Sequence, residues 1–269
     1  MLLTIDVGNT DTKLGFFART GGGVAHKLMR DWRVTTARRR TADEFGVLFS
    51  ALFRRAEIPL DEVRAIVVSS VVPQTDRALI DACKQYFDVE PHLFTAATQT
   101  LIAIETERPK EVGADLAAAA IGGRDRYGAP LIVIGFGTAT TFSAISRAGV
   151  YLGVAIAPGI QISIDALVAR TAKLPQVALD PPDAPYGRDT ISALQAGIVY
   201  GFVGQSEGLI ARLRARLGDD ARVVATGGFA EVIARHTAAI DSVDPHLILH
   251  GLRVFYERNV VAAGATAAT

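Results

Sequence analysis

The sequence predicts an α/β fold built in two copies, with a nucleotide cleft between them. Three observations carry this. An apolar strand, a glycine turn and a second strand occur twice, at 2–17 and again at 131–145. The two stretches align in letters: Leu2-Leu3-Thr4-Ile5-Asp6-Val7-Gly8 lies over Leu131-Ile132-Val133-Ile134-Gly135-Phe136-Gly137. In step with this, Asn9 falls on Thr138 and Thr12 on Thr141. A third glycine turn, Thr226-Gly227-Gly228, follows a strand segment and precedes a helical one. Such turns expose backbone N–H groups to a phosphate without side-chain obstruction, and 269 residues is enough chain for two domains.

Each element has its own reason. Leu2 to Ile5 is a buried strand ending at Asp6-Val7-Gly8-Asn9-Thr10, which has turn chemistry. Thr12 to Phe17 completes a hairpin, and Ala25 to Arg33 is a third strand. Thr41-Ala42-Asp43-Glu44 is a capping box, and Phe45, Leu48, Phe49 and Leu52 follow at helical spacing. Ala65 to Val68 is a short buried strand, Asp76 to Phe87 a helix, and the alanine-rich Val112 to Gly122 another helix. The plan then repeats. Strands are expected at Leu131 to Ile134, Thr140 to Ile145 and Tyr151 to Ile156. Helices follow at Ile160 to Arg170 and Thr190 to Leu217, separated by a loop containing Pro175, Pro181, Pro182 and Pro185. Arg222 to Ala225 is a strand, Phe229 to Arg235 starts a helix, and Leu247 to Ala263 is the last one. The tail from Gly264 to Thr269 is of low complexity and expected to fray.

Composition excludes several classes. Lys plus Arg and Asp plus Glu are each 28, so the formal charge is zero. Nucleic-acid binding rests mainly on clustered cations, so no nucleic-acid partner is expected. A single cysteine, Cys83, rules out an intramolecular disulfide or a cysteine-based zinc site. The N-terminus lacks the basic region of a signal peptide. The longest apolar stretch, Leu131 to Ile145, is too short and too rich in Thr and Gly to span a membrane. These features predict a cytoplasmic protein with no membrane partner. The five histidines (His26, His92, His236, His246, His250) lack metal-ligand spacing. Arg38-Arg39-Arg40 reads as a solvated loop, Cys83 as a packed side chain, and Trp32 as a core or interface residue.

The candidate chemistry sits at the strand ends. An Asp there, as at Asp6, offers Mg2+ a carboxylate, and Mg2+ favours one or two carboxylates with phosphate oxygens and water. Asp6-Val7-Gly8-Asn9-Thr10 joins such a carboxylate to a phosphate-binding turn. Gly137-Thr138-Ala139-Thr140-Thr141 supplies a second turn and Thr226-Gly227-Gly228 a third.

In this order, and with Gly113-Ala114-Asp115, Phe136-Gly137-Thr138-Ala139-Thr140-Thr141-Phe142, Ala157-Pro158-Gly159-Ile160-Gln161, Ser69-Ser70-Val71-Val72-Pro73 and Gly251-Leu252-Arg253 followed by Tyr256-Glu257-Arg258-Asn259, the chain resembles the type III pantothenate kinases. The resemblance runs almost end to end. It implies duplicated ribonuclease-H-like (actin-like ATPase) domains at 1–117 and 118–269, with the last helix packing back on the first. It implies ATP-dependent phosphorylation of the 4′-hydroxyl of pantothenate in coenzyme A biosynthesis, in a homodimer using Mg2+ and a monovalent cation (K+ or NH4+). By the same resemblance Asp6 holds Mg2+, and Gly8, Asn9, Thr10 and Lys13 cradle phosphate. Asp115 accepts the proton of the attacking hydroxyl, with Gly113 and Ala114 beside it in the substrate pocket. Gly137, Thr138, Thr140 and Thr141 bind phosphate from the second domain, and Gly227 and Gly228 flank the adenosine. Thr190 reaches the pantothenate pocket of the neighbouring subunit.

The chain departs from the family pattern at five places, one of them Thr95-Ala96-Ala97-Thr98-Gln99, which stands where the family has a glycine-rich segment. Gly135 stands where the family has the Asp that serves the monovalent cation, Ser143 where it has a second Asp, Leu116 where it has a substrate-binding Arg, and Thr106 where it has a Tyr. Two alternatives therefore stand beside pantothenate kinase: a kinase for another small hydroxylated substrate, and a non-catalytic nucleotide-binding or regulatory paralogue.

Overall fold

The computed structural model describes residues 1–19, 26–180 and 182–261. Ala25, Pro181, the last two residues of the expected C-terminal helix and the tail lie outside the described residues. The chain forms two compact units. One comprises Met1–Ile102, Glu107–Asp125 and the chain from Leu247 onward; the other comprises Ala103–Thr106 and Arg126–His246.

The first unit is a five-stranded sheet in the order β3-β2-β1-β4-β5, with β1 (Leu2–Val7), β2 (Asp11–Arg19), β3 (His26–Thr35), β4 (Ala65–Ser70) and β5 (His92–Phe94). β1 to β3 are antiparallel, whereas β4 and β5 run parallel to β1. Every residue of β1 is buried. That is why it reads as an unbroken apolar run and why the one carboxylate in it, Asp6, stands out. Leu3, Ile5 and Val7 pack in one core with Phe45, Phe49 and Phe53 of α1 (Ala42–Arg55) and Leu79 and Cys83 of α2 (Pro73–Phe87). The capping box forms: Glu44 N donates to Thr41 Oγ1 at 3.3 Å, and Thr41 N to Glu44 Oε2 at 2.7 Å. α2 begins before the expected Asp76, because Pro73 occupies its first position, where a missing N–H costs nothing. Trp32 stacks on Phe53 at 5.2 Å. The buried Cys83 thiol is pushed up to about 12 by burial. Arg38 and Arg39 are exposed as a solvated loop requires, but the Arg40 guanidinium lies over the Phe45 ring at 5.2 Å. That corrects the reading of this third arginine.

α3 (Ala114–Tyr127) and α7 (Leu247–Phe255) complete the unit, and α7 continues as a π-helical stretch, Tyr256–Val261. A division of the chain at 117/118 would cut through α3.

The second unit repeats the topology, with strand order β10-β9-β6-β7-β8. Its strands are β6 (Leu131–Phe136), β7 (Ala139–Ile145), β8 (Tyr151–Pro158), β9 (Arg222–Gly227) and β10 (Ser242–Val243). As in the first unit, the central strand pairs with a hairpin partner on one side and a parallel strand on the other. Its core joins Ile132, Ile134 and Phe136 to α4 (Ile160–Ala169), α5 (Thr190–Leu217) and α6 (Ala230–Ala234).

The register corrects one detail of the repeat. Val7 pairs with Thr12, whereas Phe136 pairs with Thr140. The first turn, residues 8–11, is one residue longer than the second, 137–139. Thr12 therefore corresponds to Thr140, and Lys13 to Thr141. Among the described residues no helix is long and apolar enough to cross a membrane.

Candidate active site

In the first unit, pairing sets Lys13 of β2, Asp6 of β1 and Ser69 of β4 at one level of the sheet. Residues level with one another project to the same face. Asp6 is 4% exposed, and its Oδ1 has no hydrogen-bond partner. Burial, reinforced by the charge of Asp115, pushes its acid up to about 7, while the charge of Lys13 and the nearby Ser69 hydroxyl oppose the rise. Ser69 Oγ is itself buried without a partner in hydrogen-bond geometry, so its pull on Asp6 is weak.

Asp115 lies in the first turn of α3, where its Oδ1 accepts a 2.9 Å bond from Leu116 N. Burial raises its acid, against the backbone bonds and the Lys13 charge. Two buried carboxylates thus share one lysine. A Cβ on Gly113 would come within 2.6 Å of Asp115 Oδ1, so a glycine here leaves the carboxylate room. Ala114 is buried.

The turn beyond Asp6 is closed by Gly8 N donating to Asp11 O at 3.0 Å, with the Asn9 and Thr10 side chains exposed. Thr36 fastens it. Its N–H donates to Thr10 O at 2.9 Å, its hydroxyl to Gly8 O at 2.8 Å, and the hydroxyls of Thr36 and Thr12 lie 2.9 Å apart. Sequence reading missed Thr36, because only the β2–β3 pairing brings it to the turn.

In the second unit the corresponding level holds Thr141, Gly135 and Thr226. No carboxylate stands there. Thr226 is buried with its Oγ1 unpartnered. Thr140 Oγ1 is also buried and unpartnered, on the face opposite Gly135. Gly137 N donates to Ala139 O at 3.1 Å, which closes the turn and leaves the Thr138 side chain exposed. Two glycines are required by close approach. A Cβ on Gly159 would stand 2.2 Å from Thr138 O, so only glycine lets α4 begin against this turn. Gly227 has φ +103°, and its Cβ would meet Phe136 O at 2.3 Å. Gly228 beside it is exposed. Ser143 Oγ lies 3.3 Å from Tyr151 OH, and Thr106 Oγ1 is buried without a partner. Thr190 is exposed at the first position of α5, whose N-terminus is capped by Asp189.

The structure therefore assembles Asp6, Lys13 and Asp115 in one unit. In the other it gathers the 137–138 turn, Gly159 and Gly227, leaving Thr190 at a helix start.

Residues 2–212 match the family model for type III pantothenate kinase. The chain belongs to this family. Among curated type III pantothenate kinases, that of Moorella thermoacetica is 47% identical, covering 96% of this chain and 100% of that protein. That of Geobacillus kaustophilus is 43% identical, covering 98% and 100% respectively. Among solved structures, a protein from Sinorhizobium meliloti described as a 2-dehydro-3-deoxygalactonokinase superposes with a TM-score of 0.60 at 13% identity, covering 97% of each chain. That likeness bears on the fold alone, two ribonuclease-H-like domains of the kind found in sugar kinases.

Proposed function

We propose that this type III pantothenate kinase transfers the γ-phosphoryl group of ATP to the 4′-hydroxyl of pantothenate, the entry step of coenzyme A biosynthesis, in the cytoplasm. The observation that carries the reading is the trio of Asp6, Lys13 and Asp115. Phosphoryl transfer demands little covalent chemistry of a protein; it demands positioning and neutralised charge. The pantothenate hydroxyl attacks the γ-phosphorus, the bond from that phosphorus to the bridging oxygen breaks, and ADP leaves. Asp115 takes the hydroxyl proton. Its burial makes it a stronger base than an exposed carboxylate. Lys13 and the N–H groups and side chains of Gly8, Asn9 and Thr10 hold phosphate oxygens. Gly137, Thr138, Thr140 and Thr141 do the same from the second unit, with Gly227 and Gly228 at the adenosine.

A divalent cation fits the first unit, because Asp6 Oδ1 is an orphaned buried oxygen at a strand end. Mg2+ held there would offset the negative charge of the transferring group. For a monovalent cation the second unit supplies no carboxylate, since Gly135 has no side-chain oxygen and Ser143 is engaged with Tyr151; the orphaned oxygen at that level is the neutral Thr226 hydroxyl. No step is routed through such a cation.

The reading includes a homodimer. Ile162 and Leu167 on α4 and Ile191 on α5 are 45%, 40% and 51% exposed. A cavity of about 350 Å³ between these helices is walled by Leu167, Leu194, Ile198 and Phe202. Thr190, beside Ile191, would then serve the partner's pocket. Light scattering at micromolar concentration should give twice the chain mass; a monomer removes this claim.

The deciding assay mixes protein, ATP, Mg2+ and pantothenate and follows ADP and phosphopantothenate together. Both should form, and Asp115→Asn should cut turnover at least a hundredfold while nucleotide binding persists. Bound ATP with no phosphopantothenate would overturn the kinase reading.

A further inference from the structure

We infer that Asp125, clamped by His250 and Arg253 of α7, is a positioning residue for Asp115. It sets how far α3 advances along its own axis, and so where the carboxylate at the start of that helix stands. The inference rests on the kinase reading above.

The buried face of α3 is made largely of small groups, and its long polar side chains are confined to its last turn, where Arg124 donates to Leu101 O at 2.7 Å. Ala117 to Ala120, Gly122 and Gly123 are all buried. Its contact with α7 is backbone against backbone: a Cβ on Gly251 would stand 1.9 Å from Ala118 O, and one on Gly122 would stand 2.2 Å from Leu247 O. Such a surface packs closely, but its ridges are shallow. Helices resist axial sliding when side-chain ridges sit in facing grooves, and alanine and glycine provide little of that. The axial position must be pinned elsewhere.

The pin is at the far end of the helix. Asp125 Oδ2 lies 2.9 Å from His250 Nε2 and 3.6 Å from Arg253 Nη2, and its Oδ1 accepts a 2.6 Å bond from Arg258 Nη2. The His250 and Arg253 side chains are 8% and 11% exposed. Arg253 is itself braced, with Nη1 donating to Glu257 Oε2 at 2.5 Å. Glu257 Oε1 in turn accepts from His26 N at 2.8 Å and lies 2.9 Å from His26 Nδ1, at the start of β3. The clamp therefore runs from the sheet through the C-terminal helix to α3. It also explains the paired terminal motif, Gly251-Leu252-Arg253 and Tyr256-Glu257-Arg258-Asn259. The glycine allows the backbone contact and the charged residues set its register. Ten residues separate Asp125 from Asp115, about 15 Å of helix at the usual rise per residue. A helix is stiff along its axis, so a slip at one end arrives at the other. Displacing a catalytic group by about 1 Å can cost on the order of a hundredfold in rate.

The test uses Asp125→Asn, which keeps the shape and weakens three charged contacts. Turnover should fall about tenfold, with KM for ATP and pantothenate within about twofold. In an Asp115→Asn background the same change should cost less than about twofold, because the group it positions is gone. Hydrogen exchange of the 113–118 amides should quicken about tenfold, whether or not the protein turns over. Arg253→Lys should restore more of the turnover than Arg253→Ala. If Asp125→Asn folds with turnover and exchange unchanged, or if its loss adds fully to that of Asp115→Asn, the inference is wrong. If exchange quickens but the wild-type protein makes no phosphopantothenate, the clamp stands and the kinase reading fails instead.

Discussion

At the middle of the first sheet, one level carries Lys13, Asp6 and Ser69; in the second sheet the matching level carries Thr141, Gly135 and Thr226. Strand order, hairpin and parallel partner are the same in both. What differs is charge. The first row holds a buried carboxylate beside a lysine, and the second only a bare glycine and two hydroxyls. The comparison teaches that the scaffold and its chemistry are separable. A glycine turn at the strand end is kept in both halves, while the buried carboxylate oxygen that Asp6 supplies in the first has no counterpart at Gly135 in the second.

The largest expected effect comes from making the first row resemble the second. Asp6→Asn removes the anionic oxygen at nearly constant shape. Turnover should drop by about a hundred- to a thousandfold, the range typical of losing a group that meets transition-state charge. Calorimetry should also show nucleotide binding that no longer responds to Mg2+. An unchanged titration would strip Asp6 of its assignment.

The second effect is on stability, in protein freed of divalent metal. Asp6 has an unfolded value of 3.8 and a folded one of about 7. A group that holds its proton more tightly when folded contributes stability that is complete below about pH 4 and is lost as pH rises to about 7. Melting temperature should therefore fall across that window, and Asp6→Asn should reduce the slope, leaving the part that the buried Asp115, whose acid is also raised, contributes. The second row holds no titrating group, so Gly135→Ala should leave the slope as it is. An undiminished slope in Asp6→Asn would place its origin elsewhere.

A smaller effect comes from making the second row resemble the first. Gly135 lies in strand β6 and is not among the residues with positive φ, so an aspartate meets no backbone strain there. Its Cβ would come within 2.7 Å of Thr141 Oγ1, which must turn aside. Gly135→Asp should raise turnover about tenfold in K+ relative to Na+, where the wild type differs by less than about twofold. Equal rates in both salts would show that a carboxylate alone does not build the site.

The smallest effect tests the orphaned hydroxyls. A buried hydroxyl without a partner carries a desolvation penalty and returns nothing, so its removal relieves that penalty and is neutral to slightly stabilising once the small void left behind is counted. Ser69→Ala and Thr226→Val should each move stability by less than about 1 kcal/mol. A larger loss in Thr226→Val, read by denaturant titration, would mean its hydroxyl has a partner in solution.

Much of this was legible in the sequence, for physical reasons. β1 and β6 are buried on both faces and so appear as apolar runs, and the glycine turns punctuate them. The Thr41 and Glu44 box marks its helix because capping is a local interaction. What escaped is non-local. β5 and β10 have three and two residues, too short for any period to register, and exist only through pairing with β4 and β9. The extra residue in the first turn slipped the alignment of Lys13 with Thr141, since letters carry no register. Ser69 meets Asp6 through a parallel pairing across most of the first unit, and Asp125 meets Arg253 from the far end of the chain. Neither has a local signature. Asp6 stood out because it sits at the end of an apolar strand beside a glycine turn, whereas Asp115 was singled out only through the resemblance carried by Gly113-Ala114-Asp115.

The return of the last helix to the first unit bears on how the protein is made. Translation delivers β1 to β5 early, but Leu249 of α7 packs against β2, where a Cβ on Gly15 would lie 3.2 Å from it. A nascent chain halted before Leu247 lacks that cover, and the α3 that carries Asp115 lacks its companion helix. The second unit, 103–106 with 126–246, is by contrast whole before synthesis ends. The half that emerges from the ribosome first is thus the half completed last. Asp115 therefore acquires the packing that surrounds its helix only after the ribosome has supplied the segment from Leu247 onward.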